Sequence, residues 1–176
     1  MNELSFLINL QQYRTPLLDS FFVFVTHLGD AGLVWSALTL ALAARKSTRK
    51  EALTMALSLI ICAVFTNLIL KPLVARPRPF TRVDGLMLLV SPPADYSFPS
   101  GHTAASFAAA AALCIHDSRL TVPALLLSLL IAFSRLYLFV HYPSDILAGM
   151  LAGSLSALLA KGLINLASLI HLHRFF

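Results

Sequence analysis

The sequence predicts an all-α, polytopic membrane protein: a single membrane-embedded domain over residues 1–176 with six transmembrane helices. Hydrophobic residues make up 58% of the chain and charged residues 12%, about half of the roughly 25% that soluble proteins carry. A soluble globule of this size could not bury so much apolar surface, and a disordered chain would be polar and charged. The composition therefore excludes both of these classes and indicates a chain that lies mostly in a lipid bilayer.

Polar clusters divide the chain into six apolar runs, each of which is a candidate transmembrane helix. A hydrocarbon core of about 30 Å needs about 20 helical residues, and the first, second and fourth runs are shorter than that. The first run either extends back through Tyr13 or follows a short amphipathic helix over 6–10 at the membrane interface. The six runs cover residues 17–28, 31–44, 52–70, 102–115, 121–140 and 146–169.

Basic residues predict the orientation of these helices. Residues 45–50 read Arg-Lys-Ser-Thr-Arg-Lys and lie in a very short loop, where the preference of Lys and Arg for the cytoplasmic side is strongest. We therefore expect both termini in the cytoplasm of a multi-pass protein of the cell (plasma or inner) membrane. The net charge of +5 does not indicate nucleic acid as a partner, because the basic residues lie at the ends of apolar segments.

Small residues predict which helices touch. Gly149 and Gly153 stand four positions apart in the sixth run, and the fourth run is rich in alanine between Ala104 and Ala112. Small side chains let membrane helices approach closely, so we expect the fourth and sixth helices to be in contact.

Ionisable residues gather at one membrane face on this topology. The last four helices run out, in, out and in, so Lys71, His102, His141 and Asp145 all fall at the outer face. Arg135 lies about one and a half turns inside the fifth apolar run, where an arginine is costly and tends to be functional or paired. We therefore expect the active site at the outer, extracytoplasmic face.

The cations of this group suit a phosphate. Lys71, Arg78 and Arg135 can neutralise phosphate oxygens, and the two guanidinium groups offer bidentate hydrogen bonds. Ser100 and Gly101 open the fourth helix, whose free backbone N–H groups and positive dipole end also suit an anion. These five residues predict a phosphate-binding site.

Two histidines and a carboxylate remain in the same group. His102, His141 and Asp145 are the minimum for a covalent route, which needs a nucleophile, an acid that orients it and a general acid that later acts as a base. Asp145 is the only clustered carboxylate, so the sequence predicts neither a metal site nor a cofactor.

The spacing of these residues resembles the three-part signature of the type 2 phosphatidic acid phosphatase (PAP2) family. The resemblance implies a metal-independent membrane phosphatase in which His141 forms a phosphohistidine, Asp145 orients it and His102 is the general acid. It also implies that Lys71, Arg78, Ser100, Gly101 and Arg135 bind the phosphate. The signature is Lys71 with six residues before Arg78-Pro79, then Pro99-Ser100-Gly101-His102, then Ser134-Arg135 with five residues before His141 and three more before Asp145.

The resemblance implies a membrane lipid as substrate and leaves its identity open. The short chain favours conversion of undecaprenyl pyrophosphate to undecaprenyl phosphate, with phosphatidylglycerol phosphate, phosphatidic acid or a lipid A phosphate as alternatives. A transporter or binding protein for a phosphorylated solute is the competing class, since such proteins also bury Arg and His.

Two features near the site have open interpretations. The apolar stretch 85–90 either dips into the headgroup region to guide a lipid or packs over the helix ends. Arg76 and Arg82 lie outside the signature and either widen a positively charged entrance or have no direct role.

Overall fold

A computed structural model describes residues 2–173, and within that range the chain forms helices and no strands. The all-helical class is therefore confirmed. The α-helices are α1 (Glu3–Gln11), α2 (Pro16–Leu28), α3 (Leu33–Ala43), α4 (Arg49–Ala63), α5 (Lys71–Val74), α6 (Gly101–Cys114), α7 (Thr121–Tyr137) and α8 (Pro143–His173).

Helix α6 is the central element of the bundle. It packs against α4, α7 and α8, and most of its side chains are alanines or other small groups that are fully buried. A Cβ atom placed on Gly153 of α8 would lie only 2.2 Å from the carbonyl oxygen of Ala104 in α6. On Gly149 it would lie 2.8 Å from the carbonyl oxygen of Ser100. The predicted contact between the fourth and sixth apolar runs is therefore confirmed, and the two glycines make it possible.

The first two predicted spans form one bent unit. Helices α2 and α3 are joined by a tight turn in which Ala31 and Gly32 have positive φ angles of 48° and 68°. Their axes differ by 43°, so the chain continues in roughly the same direction through both helices. Two successive membrane crossings would instead run in opposite directions. The six separate spans predicted from the sequence are therefore not confirmed.

The two ends of the bundle are distinguished by their contacts. At one end, Glu3 of α1 accepts hydrogen bonds from the Nη2 of Arg76 and from the backbone N–H of Ser144, at 2.7 and 2.6 Å. At the other end, Thr54 near the start of α4 contacts the His116 ring just after α6, at 2.8 Å. Because α8 begins beside Glu3 and extends toward His116, the described parts of the two chain ends lie at opposite ends of the bundle. The expectation that both termini share one side of a membrane is therefore not confirmed.

Within the described residues 2–173, two helical segments could cross a membrane by length and composition. They are Lys46–Arg82, which joins α4, a π-helical stretch over Val64–Leu70 and α5, and Pro143–Ile170 of α8. The bent pair of α2 and α3 is a third candidate, whereas α7 is a shorter apolar helix. Large apolar side chains such as Leu40 and Leu151 point outward, while Lys71 and Arg135 are buried. This distribution is the one expected of a bundle surrounded by lipid.

We expect Gly153→Ala to destabilise the protein and Gly162→Ala, the matched control on the same helix, to leave it as stable or stabilise it. The new methyl group at 153 meets backbone atoms of α6 that cannot move aside, whereas nothing lies within 4 Å of the Cβ position at 162. Overpacking of this kind costs about 1–3 kcal/mol, while Gly→Ala in an open helix position gains up to about 1 kcal/mol. Thermal unfolding in detergent measures both changes. Equal effects of the two substitutions would contradict the close packing of α6 on α8.

Candidate active site

The predicted site residues converge at the Glu3 end of the bundle from four parts of the chain. Lys71 begins α5, Arg78 follows in the loop, Ser100 caps α6, Arg135 lies in the last turn of α7 and Asp145 in the first turn of α8. A cavity of about 460 Å³ opens there, and Ser100 and Asp145 lie just behind its wall. Its wall includes Lys71, Arg78, Gly101, His102, Arg135 and His141.

His141 lies in the turn between α7 and α8 and is 1% exposed. Its Nε2 accepts a hydrogen bond from the Nη1 of Arg78 at 3.1 Å, so the ring proton is on Nδ1. Nδ1 faces the Oδ2 of Asp145 at 3.5 Å, which is an ion-pair distance rather than that of a well-formed hydrogen bond. Burial lowers the pKa of His141 to about 3, with the positive charges of Arg78 and Arg135 acting in the same direction. The imidazole is therefore neutral at physiological pH, with Nε2 as its basic nitrogen.

Asp145 is fixed by hydrogen bonds on both carboxylate oxygens. Its Oδ2 accepts from the Ser97 hydroxyl at 2.5 Å and from the backbone N–H of Tyr142 at 2.8 Å. Its Oδ1 accepts from the Nη1 of Arg76 at 2.6 Å. Because Arg76 also contacts Glu3, a chain of ion pairs runs from α1 to the carboxylate beside His141. Arg76 thus supports Asp145, and it is not among the residues that line the cavity.

His102, on the second residue of α6, contacts a carboxylate that the sequence analysis did not identify. Its Nε2 donates to the Oδ1 of Asp30 at 2.8 Å, and Asp30 lies in the turn between α2 and α3. The other Asp30 oxygen contacts the Nδ1 of His27 at 2.7 Å. A second histidine–carboxylate pair therefore stands across the cavity from His141 and Asp145.

The three cations differ in their partners. Arg135 is buried in α7, and its Nη1 donates to the hydroxyl of Thr26 on α2, which closes the wall of the cavity. Lys71 and Arg78 share a different partner, the carboxylate of Asp95. The bond to the Arg78 Nη2 is 2.5 Å long, and Asp95 also contacts the Nζ of Lys71.

Asp95 is ionised at neutral pH. Burial by itself would raise the pKa of its carboxyl, but hydrogen bonds and charge from Lys71 and Arg78 outweigh burial and lower the pKa to about 2. An anionic group therefore lies between two of the cations that the sequence predicts for a phosphate.

Sequence reasoning missed Asp30, Asp95 and Thr26 because each acts through a contact between distant segments. Asp95 lies five residues before Ser100, close to the Pro-Ser-Gly-His motif, but it is not part of that motif. In the 85–90 stretch, Leu86 and Leu88 pack with Leu7 and Tyr142 over the helix ends. This contact is the second of the two interpretations given for the stretch.

Several known proteins are similar to this chain in sequence and in fold. A family model described as the PAP2 superfamily matches residues 51–167. An undecaprenyl-diphosphatase from Sulfolobus acidocaldarius is 35% identical over 153 residues, which cover 86% of this chain and 72% of that protein. A crystal structure of LpxE from Aquifex aeolicus superposes with a TM-score of 0.79 and 29% identity, covering 91% of this chain and 94% of that one. A PAP2-type phosphatidylglycerolphosphate phosphatase from Bacillus subtilis gives 0.74 and 25%, covering 93% and 84%.

We expect the buried neutral His141 to make the fold sensitive to mild acid. Its pKa is about 3 in the folded protein and about 6.5 in an unfolded chain, so only the unfolded chain takes up a proton as the pH falls below 6.5. Stability is then fully present above about pH 6.5 and is lost by up to about 1.4 kcal/mol per pH unit as the pH falls toward 3. His141→Gln should lose less stability than wild type between pH 7 and 4.5, in thermal unfolding of the detergent-solubilised protein. A difference between the two proteins that does not change with pH would contradict this expectation.

Proposed function

The chain belongs to the PAP2 superfamily of phosphatases, and from that premise we propose that it hydrolyses a terminal phosphate or pyrophosphate of a membrane lipid through a phosphohistidine at His141. One observation carries the mechanism. The neutral His141 presents Nε2 to a cavity lined by three cations, with Asp145 behind its other ring nitrogen. The reaction requires no metal in this proposal, because the protein's own cations supply the positive charge.

The first step transfers the phosphoryl group to the enzyme. Phosphate oxygens bind Lys71, Arg78, Arg135 and the free N–H groups at the start of α6, where Ser100 and Gly101 lie. The Arg78 N–H that contacts Nε2 in this structure turns to a phosphate oxygen, which frees the lone pair. Nε2 attacks phosphorus, a P–N bond forms and the P–O bond to the leaving group breaks.

Asp145 and the cations stabilise the charges that develop in this step. Positive charge on the imidazole is balanced by the carboxylate near Nδ1, and negative charge on the phosphoryl oxygens by the three cations. Electrostatic stabilisation of the transferring group is the largest catalytic contribution in such sites.

His102 handles the proton. When a phosphate anion is bound beside it, His102 is protonated on both nitrogens; it keeps Nε2–H on Asp30 and donates the Nδ1 proton to the leaving oxygen. In the second step the neutral Nδ1 takes a proton from water, the resulting hydroxide attacks phosphorus and the P–N bond breaks. Inorganic phosphate and the original His141 and His102 are regenerated.

The proposed substrate is a lipid because the cavity lies at the end of an apolar bundle. Undecaprenyl pyrophosphate is the first choice, supported by the 35% identical relative named undecaprenyl-diphosphatase. Phosphatidylglycerol phosphate, phosphatidic acid and lipid A phosphates are the alternatives. If the basic loop 45–50 lies in the cytoplasm, the site and α1 face the outer side of the cell membrane.

We expect the purified protein to release phosphate from at least one lipid of a panel of phosphates and pyrophosphates in detergent with EDTA. His141→Ala should lower the rate by at least about 10³-fold, since it removes the group that forms the covalent bond. The matched control is His116→Ala, at the opposite end of the bundle, which should keep the wild-type rate. A rate that EDTA abolishes and magnesium restores would overturn the proposed mechanism. A folded wild type that releases no phosphate from any lipid would favour a binding or transport protein.

We expect Asp30→Asn to act through the proton that His102 delivers. Loss of the carboxylate leaves His102 less able to hold its second proton, so turnover of a lipid phosphate, whose alkoxide is a poor leaving group, should fall by about 10²-fold. Turnover of p-nitrophenyl phosphate, whose leaving group needs no proton, should fall much less. Parallel kinetics on the two substrates provide the measurement, and equal losses on both would contradict a role through His102.

A further inference from the structure

The carboxylate of Asp95 lies where the proposed function requires a phosphate. One oxygen contacts the Nζ of Lys71, and the other accepts from the Nη2 of Arg78 at 2.5 Å. The side chain of Asp95 is 50% exposed, whereas those of Lys71 and Arg78 are 10% and 4% exposed. The two cations are therefore largely covered, and the carboxylate that contacts both of them is exposed to water.

All five N–H groups of Arg78 are in use. Nε donates to the carbonyl of Asp95 at 2.8 Å, and Nη1 donates to the carbonyl of Val140 and to His141. Nη2 donates to the Asp95 carboxylate and, at 3.4 Å, to the carbonyl of Tyr96. An incoming anion can bind Arg78 only by replacing one of these acceptors. In the proposed reaction the Nη1 group turns from His141 to the phosphate, but Asp95 still holds the Nη2 group of the same guanidinium and the Nζ of Lys71. The carboxylate is the exposed side chain among these acceptors, while the carbonyls belong to the backbone.

The loop around Asp95 does not depend on this carboxylate for its position. The carbonyl of Asp95 stays on Arg78, the backbone N–H of Ser97 donates to the carbonyl of Arg76 at 2.9 Å, and the Ser97 hydroxyl donates to Asp145. The side chain of Asp95 can therefore rotate away from the cations while the backbone remains in place.

We propose that Asp95 is an internal competitor that sets the affinity of the site for anions: its carboxylate must leave Lys71 and Arg78 before a phosphate binds, and it returns when the product leaves. This inference rests on the proposed function only in assigning those two cations to the phosphate. A competing internal group raises the Kd of every anion by the same factor, because it reduces the fraction of binding-competent sites.

The consequence is a lower occupancy of the site by weakly bound anions, while the ratio between the Kd values of any two anions stays the same. Phosphodiester headgroups carry one negative charge, as the carboxylate does, so replacing Asp95 by such a group gains little. A terminal phosphate carries up to two charges and three free oxygens, and it can contact Lys71, Arg78 and Arg135 together. The low pKa of Asp95 keeps the competitor charged across the physiological range. Phosphodiesters, whose affinity is lower, thereby occupy less than half of the sites, and a terminal phosphate, which contacts three cations, stays the tighter ligand.

The test is anion binding to the purified full-length protein by isothermal titration calorimetry in detergent, at pH 7.5 and constant ionic strength. The probes are inorganic phosphate and diethyl phosphate, and the proteins are wild type, Asp95→Asn and Asp84→Asn. Asp84 is an exposed carboxylate on the same loop, so its substitution removes the same charge. Asp95→Asn should lower the Kd of both anions by a similar factor of about ten, and Asp84→Asn should leave both unchanged.

Several outcomes would overturn the proposal. They are an unchanged or higher Kd in Asp95→Asn, a decrease for inorganic phosphate alone, an equal decrease in Asp84→Asn, or no binding of phosphate to any of the three proteins. If Asp95→Asn does not fold, Asp95→Ala is tested by the same measurement, since the backbone contacts to Arg78 remain. The experiment measures binding and not turnover. A wild type without hydrolytic activity would refute the proposed function, but the Kd values would still test the role of Asp95.

Discussion

Three buried cations at one end of an apolar helix bundle need nearby hydrogen-bond acceptors, and the loop and helix ends around them supply most of these. An uncompensated charge away from water costs several kcal/mol, so Lys71, Arg78 and Arg135 each need acceptors close by. The loop between α5 and α6 supplies the Asp95 carboxylate to Lys71 and Arg78 and backbone carbonyls to Arg78, and α2 supplies Thr26 to Arg135. The elements around the helix ends thus hold concentrated positive charge in place, and the same charge gives the site its affinity for an anion.

The bundle that carries these groups depends on the small side chains of α6. With alanines on α6 and glycines at 149 and 153 of α8, the two backbones come close enough for Ser100 to donate its N–H to the carbonyl of Asp145. Close packing below the site is therefore linked directly to the position of the residues within it. A larger side chain at this contact would separate His102 from Asp145 as well as loosen the core.

Much of this could be predicted from the sequence, because the informative patterns are local. The helical class follows from composition, the contact of α6 with α8 from the spacing of small residues, and the convergence of Lys71, His102 and His141 from the order of the last four helices. The roles of these residues stay predictions. The residues that contact the site residues could not be predicted in the same way, because they are far away in the sequence. Asp30 contacts His102 across 72 positions, and Arg76 contacts Asp145 across 69. The single direction of α2 and α3 depends on a turn at Ala31 and Gly32, whose residues would equally suit a reversal of the chain.

The contact of Glu3 with Ser144 joins segments 141 positions apart and has a consequence for biosynthesis. During synthesis, α1 emerges before the other helices described here and must wait for almost all of them before the start of α8 is available to it. Asp145 and Arg76 gain their complete set of partners only at that moment. The helices can thus insert one after another while the nucleophile's supporting carboxylate remains unanchored. Maturation of the site is in this way coupled to completion of the fold, and a partly translated chain holds its cations without an organised reaction centre.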